Sequence, residues 1–317
     1  MGWLASASAA LIATSSAPLA MAEEIAPTLL PGEIEIIDLE RERHNRLTVE
    51  VTIGEHGPYD FLIDTGAQAT VLSSHIADAL GMHDRSSATL VGIASRMQVE
   101  TIALRDIGLG TRNFDVELAP LVPQQNIGGA HGILGLDSLQ EQRVMFDFAN
   151  RTIAVADADA LGGNRGYEIV VKARRKLGQL IITRARLDGV RVAVIIDTGA
   201  QGSIGNIALQ DRLRGRDVGE AQMTDVNGMQ LAGNIRIARS VKIGRASINN
   251  IPIVFAASPT FEALGLVEEP ALLLGMSELK LFQRVAIDFR ERKVLFDLPA
   301  GSTSAWMRSA PGTRFGR

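Results

Sequence analysis

Hydrophobic and polar positions in this chain alternate in short runs, with few stretches at helical spacing. Arg46-Leu47-Thr48-Val49-Glu50-Val51-Thr52-Ile53 is apolar at every second position, the period of a half-buried strand. Gly54 to Pro58 reads as a turn, and Tyr59 to Ile63 as the return strand. Ser73 to Met82 has helical spacing through Ile76 and Leu80, with Ser74 as the expected cap. Ala88 to Leu104 predicts a second hairpin with its tip at Val91-Gly92-Ile93-Ala94-Ser95, and Asn113 to Leu121 a further strand. Gly132-Ile133-Leu134-Gly135 then leads into a short helix ending near Gln142. A strand pair follows, Val144–Phe148 and Thr152–Val155, around Ala149-Asn150-Arg151.

The order then repeats. Leu180–Leu187 and Val190–Ile196 form strands about the tight turn Asp188-Gly189. A short helix follows at Asn206–Leu213, and a hairpin tip at Val226-Asn227-Gly228-Met229. Leu273-Leu274-Gly275 matches Ile133-Leu134-Gly135, and Arg284–Phe289 matches Arg143–Phe148. Between the copies, residues 156–166 (ADADALGGNRG) have the composition of a linker. The domains expected are 32–155 and 167–299. Many short strands with a turn about every ten residues point to an all-β barrel or sandwich class.

The most specific repeat is chemical. Phe61-Leu62-Ile63-Asp64-Thr65-Gly66-Ala67-Gln68 recurs as Val194-Ile195-Ile196-Asp197-Thr198-Gly199-Ala200-Gln201, the acids standing 133 positions apart. Matching glycines (Gly135, Gly275) stand 140 apart, so about seven extra residues lie in the second copy, most simply at Ser258–Pro270. One Asp-Thr-Gly is an ordinary turn sequence. Two copies, each behind an apolar strand and each followed by Ala-Gln, indicate that each unit presents one carboxylate to a shared site.

Composition narrows the chemistry. The chain has 317 residues, 46% hydrophobic, with formal net charge −4, enough for two domains with their own cores and without a basic footprint for nucleic acid. It has no cysteine, which excludes disulfides, thiol catalysis and thiolate metal sites. His44, His56, His75, His83 and His131 never fall at metal-ligand spacing, so neither a metal nor a cofactor is expected. Residues 1–22 are uncharged, small and apolar, and end in Ala20-Met21-Ala22, the pattern of a cleaved signal peptide. They are too short and polar for a good membrane span. Residues 301–317 read as a disordered tail. Lys172–Lys176 reads as a solvated basic loop, Asp137 as a helix cap, and Asp147 and Asp288 as structural partners of Arg143 and Arg284.

Two carboxylates a few ångströms apart cannot both ionise cheaply, so they share a proton. The ionised partner can take a proton from water and the neutral one can hydrogen-bond a carbonyl oxygen, a general acid–base pair. Glycine beside each acid provides close backbone approach and freedom in φ. The threonine hydroxyls can tie the two loops together.

Asp-Thr-Gly-Ala, the following Thr-Val-Leu step, the hairpin and the apolar-apolar-Gly element resemble the retropepsin-type aspartic proteases, over residues 32–155 and 167–299. The resemblance implies an all-β fold of two tandem closed-barrel domains with short helices, forming a bilobal pseudo-dimer as in pepsin. With its signal-like start and lack of cysteine, the chain looks most like bacterial periplasmic enzymes with two such domains. It implies an aspartic endopeptidase, monomeric, periplasmic or secreted, acting on a polypeptide. Asp64 and Asp197 match the catalytic acids, supported by Thr65, Gly66, Ala67, Thr198, Gly199 and Ala200. Val91, Gly92, Ile93, Val226, Asn227 and Gly228 match substrate-covering flaps. Ala67 and Ala200 stand where pepsin-like enzymes carry Ser or Thr, and neither tyrosine, Tyr59 or Tyr167, falls in a flap. The competing reading is a catalytically silent peptide-binding module on the same fold.

Overall fold

The computed structural model describes residues 35–38 and 48–299; the expected signal peptide and C-terminal tail lie outside them. The first copy comprises β1 (Glu35–Asp38), β2 (Thr48–Ile53), β3 (His56–Ile63), β4 (Val71–Ser73), α1 (Ser74–Ala79), β5 (Ser86–Val91), β6 (Arg96–Leu109) and β7 (Arg112–Val122). A 3-10 turn at Gln124–Ile127 leads into β8 (Gly132–Leu134), α2 (Leu136–Leu139), β9 (Arg143–Asp147) and β10 (Thr152–Ala156). The second copy begins with β11 (Ile169–Lys172), β12 (Arg174–Lys176), β13 (Gln179–Leu187), β14 (Val190–Ile196), β15 (Ser203–Gly205) and α3 (Ile207–Arg212). It continues with β16 (Gly219–Thr224), β17 (Gln230–Ile243), β18 (Ala246–Phe255), α4 (Pro259–Ala263), β19 (Ala271–Leu274), α5 (Met276–Leu279), β20 (Arg284–Asp288) and β21 (Lys293–Asp297).

Each copy closes a six-stranded ring. In the first the order is β2-β3-β8-β4-β7-β6, and β6 returns to β2 with Thr52 opposite Gly108. In the second it is β13-β14-β19-β15-β18-β17, and β17 returns to β13 with Arg186 opposite Lys242. The acid-bearing strands become uniformly apolar in the residues just before each acid, Phe61–Ile63 and Val192–Ile196, because there they lie between two buried faces. β3 runs parallel to β8 (Ile63 opposite Leu134) and β14 parallel to β19 (Ile196 opposite Leu274). A parallel pair buried on both faces has no polar side to alternate with.

A third sheet joins the copies in the order β1-β10-β9-β20-β21-β11. At its centre β9 pairs antiparallel with β20, Val144 opposite Ile287 and Phe146 opposite Val285. One apolar cluster runs from Leu104 and Leu134, through Phe146 and Ile287, to Ile196 and Leu274. The joint also buries a charge pair between the copies. Arg143 donates from Nε and Nη2 to Asp288 Oδ2 (3.1 and 2.7 Å), with the two residues 1% and 0% exposed.

Several local expectations change. α1 is capped by Ser73, whose Oγ accepts from the Ile76 N–H. Ser74 is the first helical residue, and its hydroxyl donates to the Val122 carbonyl. β3 starts at His56, so the first turn is only Gly54-Glu55. Lys172–Lys176 is not a loop: Lys172 ends β11, and Arg174–Lys176 pairs with Gln179–Ile181. Asp288 pairs with Arg143 of the other copy, Arg284 pairs with Asp297 (2.6 Å), and Asp147 accepts from the Asn150 N–H and side-chain amide. Residues 157–166 form successive turns fastened to the shared sheet, since Arg143 donates to Gly163 O and Asn164 Oδ1 and Arg284 to Gly166 O. Within the stretch expected to carry the extra residues of the second copy, α4 is capped by Ser258.

Candidate active site

β3 and β14 deliver Asp64 and Asp197 to one place. Each acid's N–H donates to the carbonyl of the facing parallel strand, Asp64 to Leu134 and Asp197 to Leu274, at 3.0 Å in both. Each carboxylate then receives the two N–H groups of its own loop. Asp64 Oδ1 accepts from Gly66 (2.7 Å) and Ala67 (3.1 Å), and Asp197 Oδ1 from Gly199 (3.1 Å) and Ala200 (3.0 Å). Both residues are only 2% exposed.

The threonines cross between copies. The Thr65 N–H donates to Thr198 Oγ1 (3.0 Å) and the Thr198 N–H to Thr65 Oγ1 (3.3 Å). Each hydroxyl reaches on to the opposite acid strand, Thr65 Oγ1 to Ile196 O (2.9 Å) and Thr198 Oγ1 to Ile63 O (2.8 Å). This reciprocal pattern sets the register of the two loops against each other. Gln179 Nε2 adds a tie from the second copy to Gly66 O.

The glycines are required by space rather than by φ, since neither lies in the left-handed region. A Cβ on Gly66 would stand 2.6 Å from Asp197 Cγ, and one on Gly199 would stand 2.1 Å from Asp64 Oδ2. Each glycine therefore lies against the acid of the other copy, and the two carboxyls hydrogen-bond each other. Burial, and then the charge of Asp64, push the Asp197 carboxyl well above the usual carboxylate range, against the N–H groups of Ala200 and Gly199, which pull it down. The pair holds a proton where isolated aspartates would not.

Behind the acids, each loop is pinned by the residue six positions on. Gly135 N donates to Thr70 Oγ1 and Gly275 N to Ser203 Oγ. Asp137 does not cap α2, whose cap position is Gly135. Its carboxylate instead accepts from the Thr70 N–H (2.9 Å), the Thr70 hydroxyl (2.6 Å) and the Ser138 N–H (2.8 Å). In the second copy Ser203 Oγ bonds Glu278 Oε2. Ile133, Leu134, Leu273 and Leu274 are buried packing around the loops.

The hairpin tips interlock. Val91, Gly92 and Ile93 form the end of the β5–β6 hairpin, and Val226, Asn227 and Gly228 that of β16–β17. Ile93 is 1% exposed and belongs to an apolar cluster of the second copy with Ile195, Ile204 and Leu273. Val226 is 5% exposed and belongs to one of the first copy with Leu62, Val71 and Ile133. Each tip is thus seated beside the other copy's acid strand. Between them stands Asp225, fully buried. Its Oδ2 accepts from the first tip, Ala94 N–H (3.2 Å) and Ser95 hydroxyl (2.7 Å), and its Oδ1 from Asn227 and Met229 N–H groups of its own tip (3.0 and 2.9 Å). Gly92 has no room for a side chain there: its Cβ would meet Asp225 Oδ2 at 2.4 Å. Asn227 Nδ2 donates to Ser95 Oγ, Thr260 Oγ1 of α4 to Gly92 O, and Asn126 Nδ2 to Val226 O.

Sequence reasoning located both tips but missed Asp225, Gln179 and Glu278. Asp225 carried one local signal, an Asp opening the turn Val226-Asn227-Gly228; the other two had none. Charge-assisted hydrogen bonds contribute about 1.5–3 kcal/mol each. Asp225→Ala is therefore expected to lower hydrogen-exchange protection at Ala94, Asn227 and Met229 about tenfold or more. Unchanged protection at all three amides would remove the carboxylate's role in joining the tips.

Among the described residues no cluster of three potential metal ligands occurs, and no helix is long and apolar enough to cross a membrane. A cavity of about 570 Å³ on the second copy, lined by Gln210, Gln222, Ala232 and Phe255 among others, includes neither acid.

Comparison with known families agrees with the duplicated architecture. Residues 49–141 match the family model described as "gag-polyprotein putative aspartyl protease", and residues 183–277 match the one described as "Aspartyl protease". The chain is a mostly-β protein built from two tandem aspartyl protease domains, which supports a peptidase activity of the aspartic type. No match was found among curated proteins.

Proposed function

We propose that the chain is an aspartic endopeptidase in which Asp64 and Asp197 of one molecule form a single catalytic dyad, the two domains acting as a pseudo-dimer. The observation that carries this reading is the reciprocal placement of each Asp-Thr-Gly loop against the other: crossed threonine hydrogen bonds, and each glycine against the opposite carboxyl.

Two acids that share a proton supply both functions that peptide hydrolysis needs. The ionised carboxyl removes a proton from a water held between them, and the protonated one donates to the carbonyl oxygen. Burial and the charge of Asp64 push the Asp197 carboxyl up, so the resting pair keeps one proton that belongs to the dyad as a whole. After attack, the proton gained from water passes to the departing nitrogen, and the dyad returns to one proton. The loop N–H groups fix the inner oxygens, so the geometry is set before substrate arrives. The interlocked tips act as flaps over this site, and substrate entry requires them to part.

The test is cleavage of a peptide library read by mass spectrometry, with inhibition by a statine-type transition-state analogue. Cleavage blocked by the analogue is expected. Analogue binding without cleavage would identify a peptide-binding module, and neither binding nor cleavage would overturn the reading.

Both acids come from one chain, so the specific activity should be constant on dilution while sedimentation reports a monomer. Activity that falls as a dimer dissociates would instead show pairing between chains.

A further inference from the structure

The two acid loops are pinned by the same device but with different carboxyls. In the first copy the exposed Asp137 holds Thr70, six residues after Asp64. In the second the corresponding residue, Ser203, is held by Glu278, 3% exposed and one position after Ser277, which stands where the first copy has Asp137. Around Ser203 the contacts form a clamp. Gly275 N donates to Ser203 Oγ, Met276 N to Ala200 O, and Ser277 N to Gln201 O. Ala200 N in turn donates to Asp197 Oδ1. The first turn of α5 therefore grips the loop that carries the second acid, and Glu278 is the buried polar end of that grip.

Resting on the aspartic protease reading, we infer that Glu278, acting through Ser203, is a positioning residue for the Asp197 loop, the counterpart of Asp137 in the first copy. It touches neither the reacting atoms nor Asp197 in the contacts above; its effect passes through Ser203 and the α5 turn.

This exchange of carboxyls makes one anchor dependent on pH. Burial pushes Glu278 up to about 7, opposed by its hydrogen bond to Ser203 and by its own N–H. β15 presents Ser203 to it. On its own helix stands Ser277, whose hydroxyl donates to Gln201 O, and at the helix's C-cap Lys280, whose ammonium pKa is lowered by partial burial. A carboxyl raised in the folded state contributes its stability fully below the unfolded value, about 4.3, and loses it as pH rises through the folded value near 7. Below that point the neutral carboxyl fits its buried position. Above it, a charge on this buried carboxyl is desolvated, which loosens the grip of α5 on the acid loop.

The experiment follows the amide signals of Gly199 and Ala200 by NMR across pH 5–9 in the full chain, alongside kcat/KM. The parent should show a step near pH 7 at both amides, and Glu278→Gln should lack it. Ser203→Ala, which deletes only a hydroxyl, should shrink the step and serves as the comparison if Glu278→Gln does not fold. The alkaline limb of kcat/KM should shift upward in Glu278→Gln, leaving it about tenfold more active than the parent at pH 8 relative to each protein's maximum. The inference is overturned if the step near pH 7 survives both substitutions, or if the amides shift as expected while the alkaline limb does not move. A chain that cleaves nothing would overturn the protease reading, while the amide steps would still report whether Glu278 positions the loop.

Discussion

Asp64→Asn and Asp197→Asn should each lower kcat/KM by about 10⁴-fold or more, because one remaining carboxyl cannot act as base and acid within the same cycle. The fold should be preserved. Asn keeps an oxygen that accepts from Gly66 and Ala67, or from Gly199 and Ala200, and the threonine crossing does not involve the acids. Stability should show a signed difference. Because the folded Asp197 carboxyl is raised, the parent's stability is fully present below the unfolded value of about 3.9 and is lost as pH rises through the folded value. Asp197→Asn removes that loss, so its melting temperature should exceed the parent's at neutral pH and converge with it in acid. Thermal scans at several pH values, beside peptide hydrolysis, check both parts. Near-parental turnover in either variant would rule out a shared dyad.

Arg143→Met should destabilise the chain by about 3–5 kcal/mol, the usual consequence of leaving a buried charge unpaired. Asp288 is 0% exposed and loses both of its guanidinium hydrogen bonds, while the turns at Gly163 and Asn164 lose their attachment to the shared sheet. The double variant Arg143→Met/Asp288→Leu should recover much of that loss, since a well-packed apolar pair can replace a buried ion pair at little cost. Urea unfolding of the parent, both single variants and the double variant measures the coupling. A loss below about 1 kcal/mol for Arg143→Met would show that the pair does not hold the two copies together.

Which features could be read before folding follows from how local their causes are. The acid strands, the Asp-Thr-Gly turns, the duplicated order of elements and the two hairpin tips are set by residues within about ten positions of one another. Periodicity and turn chemistry therefore exposed them. The local misreadings were small. Ser73 and Ser74 are both competent caps, and which one serves depends on where the preceding strand releases the chain. Lys172–Lys176 is solvated, as its charge suggested, but it is not a loop, because strand partners across β21 and β13 claim its backbone.

Amino-acid sequence by itself determined that two acids exist in matching surroundings, that each follows a buried apolar strand, and that the copies differ by a short insertion before Gly275. Only the tertiary structure decided how the copies meet. The threonine crossing spans 133 residues, Arg143 finds Asp288 145 residues away, and Asp225 joins a tip 131 residues earlier. Such contacts have no local signature, because their partners are brought together by ring closure and by the shared sheet. The same holds for the glycines beside the acids. Their need for space comes from a carboxyl on the other copy, which the folded chain places against them.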